Sequence, residues 1–349
     1  MKNGKRKGVQ LYVCRECRYQ FRNSHEVALS SLWSSYQDGK QTVSELAAAH
    51  GVSPSTIKRR LRYVEKTWEQ PPLSGSGFVH LDGTYWGHNW GVMLGLDEES
   101  GLPLYLGFIK SETNQDYKDA VSSIEERGYA IRGIIIDGKK SLFGIFSAYK
   151  IQMCQYHMKQ IVKRYLTLHP RLMAARELKA LMDGLTKTGK ADFEAEYSLW
   201  KATWKDTLNK RSLLRSGKTQ FTHRRLRSAM HSVDFYLPYL FTYQLPECKG
   251  MPNTNNKIEG TFTDLKKNLN NHSGMSQGNR KRFIIGFFLA LAETLSMKKQ
   301  ELHKERLLPM LVVLHSPIPH GVAPQQSSTM LQTAAQRYKR SSKRPRIQQ

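Results

Sequence analysis

The sequence predicts an α/β fold, in which a strand-rich core is followed by a long helical stretch and preceded by a short helical region. Three observations carry this expectation. Between Phe78 and Cys154 the pattern reads strand, strand, strand, helix, strand, helix, strand, as expected when helices cover a sheet. From His157 to about Tyr243 the chain reads as almost wholly helical. Between these regions and the amino terminus, Pro71-Pro72-Leu73-Ser74-Gly75-Ser76-Gly77 is rich in breakers and marks a linker over 71–77.

Taken in order, residues 1–26 are basic and contain Cys14-Arg15-Glu16-Cys17. The flanks LYVCRECRYQF are similar to the second half of a zinc ribbon, whose first half would lie before Met1. Two thiolates alone hold zinc poorly, so zinc at Cys14 and Cys17 stays open. Residues 27–70 read as short helices. Within them Gln41 to Leu61 carries a helix-turn-helix pattern: Ala47 and Ala48 permit close crossing, Gly51 makes the turn, and Ser53-Pro54 starts the second helix. Val43, Leu46, Val52, Ile57 and Leu61 form its expected core. Ser55, Thr56, Lys58, Arg59 and Arg60 are the candidates for a major groove.

After the linker, FVHLDGTYW is strand-like, and WGVMLGLDEESGLPLYLGFIK reads as two strands around an acidic turn. Asn114 to Arg127 reads as a helix with Ala120, Val121 and Ile124 on its apolar stripe. Ile131 to Asp137 is a short apolar run of the kind buried on both faces of a sheet. Ser141 to Tyr149 reads as a short amphipathic stretch, and Lys150 to Cys154 as a further strand. Farther on, Tyr197, Trp200 and Trp204 recur at helical spacing and are read as core. Asn255 to Met297 is a last helical region, and the tail from Ser316 is expected to be disordered.

The charge balance narrows the partners. Fifty-four Lys and Arg against 29 Asp and Glu leave a formal charge of +25, an excess that favours a polyanion such as nucleic acid. No signal peptide opens the chain. The longest apolar run, Phe283 to Leu295, is broken by Gly286, Glu293 and Thr294 and reads as a buried helix. Four cysteines in a chain of this length make no disulfide framework, which suggests a cytosolic protein.

Against that basic background three acidic residues stand out. Asp82 and Asp137 each lie at the end of a predicted strand and precede a glycine. Side chains at strand C-termini project into the crevice where α/β sheets bind ligands. Two carboxylates on adjacent strands repel unless a cation lies between them, and Mg²⁺ suits such ligands. Glu259 lies in the first turn of a helix whose stripe is Ile258, Phe262, Leu265 and Leu269. Thr263, Lys266 and Lys267 continue its side, where a phosphate backbone can run.

The segments LDGTYW, IIIDGKKSL and TNNKIEGTFTDLKK, with Cys154-Gln155-Tyr156-His157 between the second and third, make residues 78–300 resemble the catalytic domain of insertion-sequence transposases of the Mutator-like (MULE) superfamily, of the Asp-Asp-Glu class. The resemblance implies a ribonuclease-H-like mixed sheet with an all-α insertion at about 158–245; residues 301–349 are read as a carboxy-terminal extension with a basic tail. It implies a DNA transposase that binds transposon ends and catalyses metal-dependent cleavage and strand transfer. Two Mg²⁺ or Mn²⁺ ions would be held by Asp82, Asp137 and Glu259, with Asp82 bridging. The implied partners are double-stranded DNA, as inverted repeats and target, and a second copy of the chain, in the bacterial nucleoid. His157 is open between two readings: a residue close to the scissile phosphate or a carboxylate, or a satisfied histidine beside a buried Cys154. The rival functions are a catalytically silent DNA-binding regulator and a nuclease on the same fold.

Overall fold

Ile134-Ile135-Ile136 and Val79 to Leu81 are buried on both sides of the strand, and they form the centre of the sheet. The computed structural model describes residues 1–6, 9–22, 29–37, 39–62, 72–87, 90–272 and 274–314. It comprises two units, Met1–Ser296 and Met297–Gln349. The tail expected to be disordered from Ser316 lies outside the described residues.

In chain order the described elements are β1 (Lys2–Arg6), β2 (Val9–Val13), β3 (Gln20–Arg22), α1 (Leu29–Gln37), α2 (Val43–Ala49), α3 (Pro54–Arg62), β4 (Ser76–Tyr85), β5 (Gly91–Asp97), β6 (Pro103–Ile109) and α4 (Asn114–Glu126). There follow β7 (Ala130–Ile136), α5 (Lys140–Ile145), β8 (Ile151–Met153), α6 (Gln155–Leu166), α7 (Met173–Gly184), α8 (Lys190–Thr203), α9 (Lys205–Asn209), β9 (Arg211–Leu213), β10 (Thr219–Phe221), α10 (Arg224–Leu240), α11 (Asn256–Asn270) and α12 (Gln277–Leu314).

The main sheet has the order β6-β5-β4-β7-β8. Short turns make β4, β5 and β6 an antiparallel meander, whereas the crossover through α4 lays β7 parallel to β4. The fold is therefore mixed α/β, with the strand and helix order that the sequence predicts over 78–154. Two expectations need correction. β4 does not end at Asp82, because Thr84 and Tyr85, residue types that favour strands, keep pairing with Val92 and Gly91. The stretch from His157 to Tyr243, expected to be almost wholly helical, also holds one short strand pair. Ser216-Gly217, with Gly217 at φ +71°, turns the chain between β9 and β10, which pair as a hairpin.

One face of the sheet carries Val79, Leu81, Ile134 and Ile136 against Tyr117, Ala120, Val121 and Ile124 of α4. Tyr197 and Trp200 continue this core as expected, while Trp204 lies half-buried at its rim and donates to Glu177 at 2.6 Å. The opposite face carries Val92, Leu94 and Leu96. It packs with Ile258, Phe262, Leu265 and Leu269 of α11, with Phe283, Ile284 and Phe288 of α12, and with Leu32, Leu46, Ile57 and Leu61 of the amino-terminal helices. Part of the predicted linker belongs to this architecture. Ser76 and Gly77 open β4, and the Leu73 N–H bonds the Arg127 carbonyl at 2.6 Å. A Cβ at Gly77 would lie 2.3 Å from the Tyr129 hydroxyl, so the glycine permits a close approach rather than a loose spacer. Among the described residues no helix is long and apolar enough to cross a membrane.

Candidate functional site

The register of β4 and β7 brings the first two acids together. His80 pairs with Ile135, and the same register sets Asp82 beside Asp137 just beyond the last paired residues. Adjacent strands lie ~4.8 Å apart and residues two apart share a face. The two carboxyl groups therefore leave neighbouring strands on the same side. Asp82 accepts the Gly83 N–H at 2.8 Å, while Asp137 Oδ1 is buried without a hydrogen-bond partner.

Burial, then the charge of Asp137, push the Asp82 carboxyl well above the usual range; Glu112 and Glu259 add to this, and the Gly83 N–H opposes it. Glu112 is a member of the site that sequence reading misses. It follows β6 in a short polar loop, and nothing in Ser111-Glu112-Thr113 signals a site. Its Oε1 accepts the Tyr117 hydroxyl at 2.8 Å, and the Lys139 ammonium lies 3.9 Å from the same oxygen. Burial, then Asp137, Glu112 and Asp82, also push the Tyr117 hydroxyl far above its ordinary value. Tyr236 reaches in from α10 to donate to the Gly138 carbonyl, and burial followed by Asp137 raises it to about 12. Two tyrosines thus stay protonated beside the carboxylates as donors.

Glu259 approaches from α11, in the first turn as expected. Its position follows from interactions that the sequence does not reveal. His80, fully buried on β4, has Nδ1 2.5 Å from Asn255 Oδ1 and Nε2 2.5 Å from Glu98 Oε2. Lys257 completes the clamp, with Nζ 3.5 Å from Glu98 Oε1. Asn255 immediately precedes α11, with its side chain turned to His80 rather than capping the helix, and Lys257 lies in the first turn, so the helix start is tied to the strand that carries Asp82. Asn253 is tied to the start of α6 by the Gln155 N–H at 2.9 Å and by its own amide to Gln155 Oε1 at 2.9 Å.

Cys154 and His157 belong to the same neighbourhood. Cys154 precedes α6 and is buried; its sulfur accepts the Asn255 N–H at 3.2 Å. Burial pushes the thiol up to about 11 against backbone N–H groups of His157, Asn255 and Tyr156. His157 Nε2 lies 3.5 Å from Glu259 Oε1. Its Nδ1 and Glu259 Oε1 are buried without a hydrogen-bond partner. His157 therefore stands beside a carboxylate of the predicted triad, and it is not satisfied at both ring nitrogens.

The remaining candidates lie elsewhere. α2 opens with a capping box between Thr42 and Glu45, and Gly51 takes φ +59° at the turn into α3. The Ser53 hydroxyl accepts the Thr56 N–H at 3.2 Å, as an N-cap does. Leu46, Ile57 and Leu61 are buried, with Val43 and Val52 packed beside them. Ser55, Lys58 and Arg59 are exposed, and Thr56 and Arg60 are half-buried. Lys266 and Lys267 are exposed on α11, Lys267 with its ammonium 3.9 Å from Asp264. Cys14 and Cys17 occupy the turn between β2 and β3, where backbone N–H groups of Cys17 and Glu16 lower the Cys14 thiol. Among the described residues no third metal-binding side chain joins them.

The sequence matches no protein-family model and no curated protein. A solved structure of the simian T-cell lymphotropic virus intasome in complex with PP2A regulatory subunit B56 gamma aligns with 54% of this chain at 10% identity and a TM-score of 0.19. The chain spans 60% of the length of the matched chain. A superposition that loose says nothing about activity.

Proposed function

We propose that this chain is a DNA transposase of the Asp-Asp-Glu class, with Asp82, Asp137 and Glu259 as the ligands of two Mg²⁺ or Mn²⁺ ions. The observation that supports the reading is the β4–β7 register that sets Asp82 beside Asp137, with the Glu259 charge near enough to act on Asp82 and with Asp137 Oδ1 and Glu259 Oε1 buried without a hydrogen bond. Oxygen-only donors of this kind suit hard divalent cations. The sheet order, with one antiparallel meander and two parallel strands, supports a ribonuclease-H-like core in which α6 to α10 form the insertion. Bound there, the ions would activate a water or a DNA 3′-hydroxyl and stabilise the leaving oxygen.

The chain's own residues supply position and protons. Asp82 and Asp137 are held by two strands of one sheet, so their separation is stiff. The clamp from His80 to Asn255 and from Glu98 to Lys257 aims Glu259 from the third element. Tyr117 and Tyr236 remain protonated donors at the rim. The formal charge of +25 and the exposed Lys266 and Lys267 suit a phosphate backbone beside the carboxylates.

The direct test is incubation of the full chain and Mg²⁺ with a duplex carrying the ends of its own element. Nicking at the ends followed by joining to a target supports the reading. Cleavage without joining would make the protein a nuclease, and binding without either would make it a regulator. The α2–α3 pair is proposed to read the ends as a helix-turn-helix. Lys58→Ala with Arg59→Ala should weaken end binding, and the slope of log affinity against log salt should shrink by about 0.9 for each phosphate no longer neutralised. Unchanged affinity and slope would remove α3 from the interface.

A further inference from the structure

We propose that Cys154, His157 and Glu259 form a site for one thiophilic divalent cation of the zinc class. The three donors are a thiol, an imidazole and a carboxylate from two elements, and one ligand atom of each lies within 4.8 Å of the others. A tetrahedral zinc centre with bonds of about 2.0–2.3 Å sets its ligand atoms roughly 3.3–3.8 Å apart. His157 Nε2 and Glu259 Oε1 already lie 3.5 Å apart. Small side-chain rotations bring the sulfur into the same shell.

Local structure builds the remainder. Cys154 is the residue before α6 and His157 is its third residue, so a spacing of three sets both on one side of the first turn. The Asn255 N–H points at the Cys154 sulfur at 3.2 Å, the kind of outer-shell bond that orients a thiolate ligand. The Gln155–Asn253 bonds fix the two elements against each other, so the donors are held before any ion arrives. A purely structural role for the pair, a buried thiol beside an ion-paired imidazole, leaves His157 Nδ1 and Glu259 Oε1 buried with no hydrogen bond. An ion bound through Glu259 would answer the second of these. Three protein ligands with one position open to water is the pattern of reactive zinc sites rather than closed structural ones.

Glu259 is shared. The binding itself does not depend on the transposase reading, but its consequence does: an ion that holds Glu259 against α6 withdraws a ligand from the carboxylate pair. On that reading micromolar zinc inhibits the Mg²⁺-dependent reaction.

The experiment is a Co²⁺ titration of the full chain, stripped by chelator and carrying Cys14→Ser and Cys17→Ser so that the amino-terminal thiols cannot contribute. One equivalent should give the visible bands of tetrahedral Co²⁺ and a sulfur-to-cobalt charge-transfer band, both displaced by Zn²⁺. Cys154→Ser should lose the charge-transfer band. His157→Ala and Glu259→Gln, at half-exposed positions that leave the core intact, should each weaken binding by more than about 100-fold, beyond the loss typical of an outer-shell partner. No tetrahedral spectrum at equimolar Co²⁺, or a spectrum unchanged in His157→Ala and Glu259→Gln, overturns the proposal. Because the readout is optical and needs no DNA, its failure is separate from a failure of strand transfer.

Discussion

Asp137→Asn is expected to reduce Mg²⁺-dependent strand cleavage by roughly 10³-fold or more, the loss of ~4 kcal/mol of transition-state stabilisation, while DNA affinity stays near that of the parent chain. The amide keeps the shape of the side chain but removes the charge that, on the proposed reading, draws a hard cation between β4 and β7. Asp82→Asn and Glu259→Gln should behave alike, since each takes one carboxylate from the same basin. Stability should move the other way. The folded-state carboxyl of Asp82 lies well above its unfolded value of about 3.9, because the half-buried group is desolvated and faces Asp137. A group raised in this way contributes fully below the unfolded value and loses that contribution as pH rises through the folded one. In metal-free buffer at about pH 7.5, Asp82→Asn should therefore raise Tm, by roughly 2–4 °C for each kcal/mol of relieved cost. The gain should fade towards about pH 3.5, where both forms are uncharged. Undiminished cleavage by Asp137→Asn, or a lower Tm for Asp82→Asn at neutral pH, would refute the assignment of this basin.

The second large effect is expected at His80. Its two nitrogens each meet an oxygen at 2.5 Å inside the protein, one from Asn255, just before α11, and one from Glu98. Alanine there leaves Asn255 and Glu98 without that partner and opens a cavity, at a cost of about 2–3 kcal/mol. Tm should fall by roughly 5–10 °C. Cleavage should fall as well, through kcat more than KM, because the first turn of α11 loses its tie to the strand that carries Asp82. Glu98→Gln, which keeps an acceptor for the ring, should retain most of both. Scanning calorimetry and single-turnover cleavage separate the two effects, and His80→Ala with normal kcat would mean that the clamp serves stability alone.

Much of the candidate site is legible in the residues alone. Alternation in Phe78-Val79-His80-Leu81-Asp82 assigns Asp82 a face, and the apolar run ending at Asp137 assigns it a buried strand. The stripe of Ile258, Phe262, Leu265 and Leu269 orients α11 and leaves Glu259 beside it, as observed. The pattern from Thr42 to Leu61 contains its own capping and turn residues, so its helices appear where they are expected. Glu112 is not legible, because a glutamate in a polar loop carries no periodic signal. The hairpin from Arg211 to Phe221 escapes notice because its strands of three residues are too short to establish an alternation.

Local periodicity and turn chemistry thus account for the elements, their order and the face each acidic residue takes, since these depend on neighbours a few positions away. They cannot say which faces meet. His80 and Asn255 are separated by 175 positions, and their contact arises from the crossover that sets β7 beside β4 and from the packing of α11 on the sheet. The same packing brings Glu259 to Cys154 and His157, and lays the amino-terminal helices on the face opposite α4. Those juxtapositions follow from burying complementary apolar surfaces across the whole chain, a condition that no short window of residues contains.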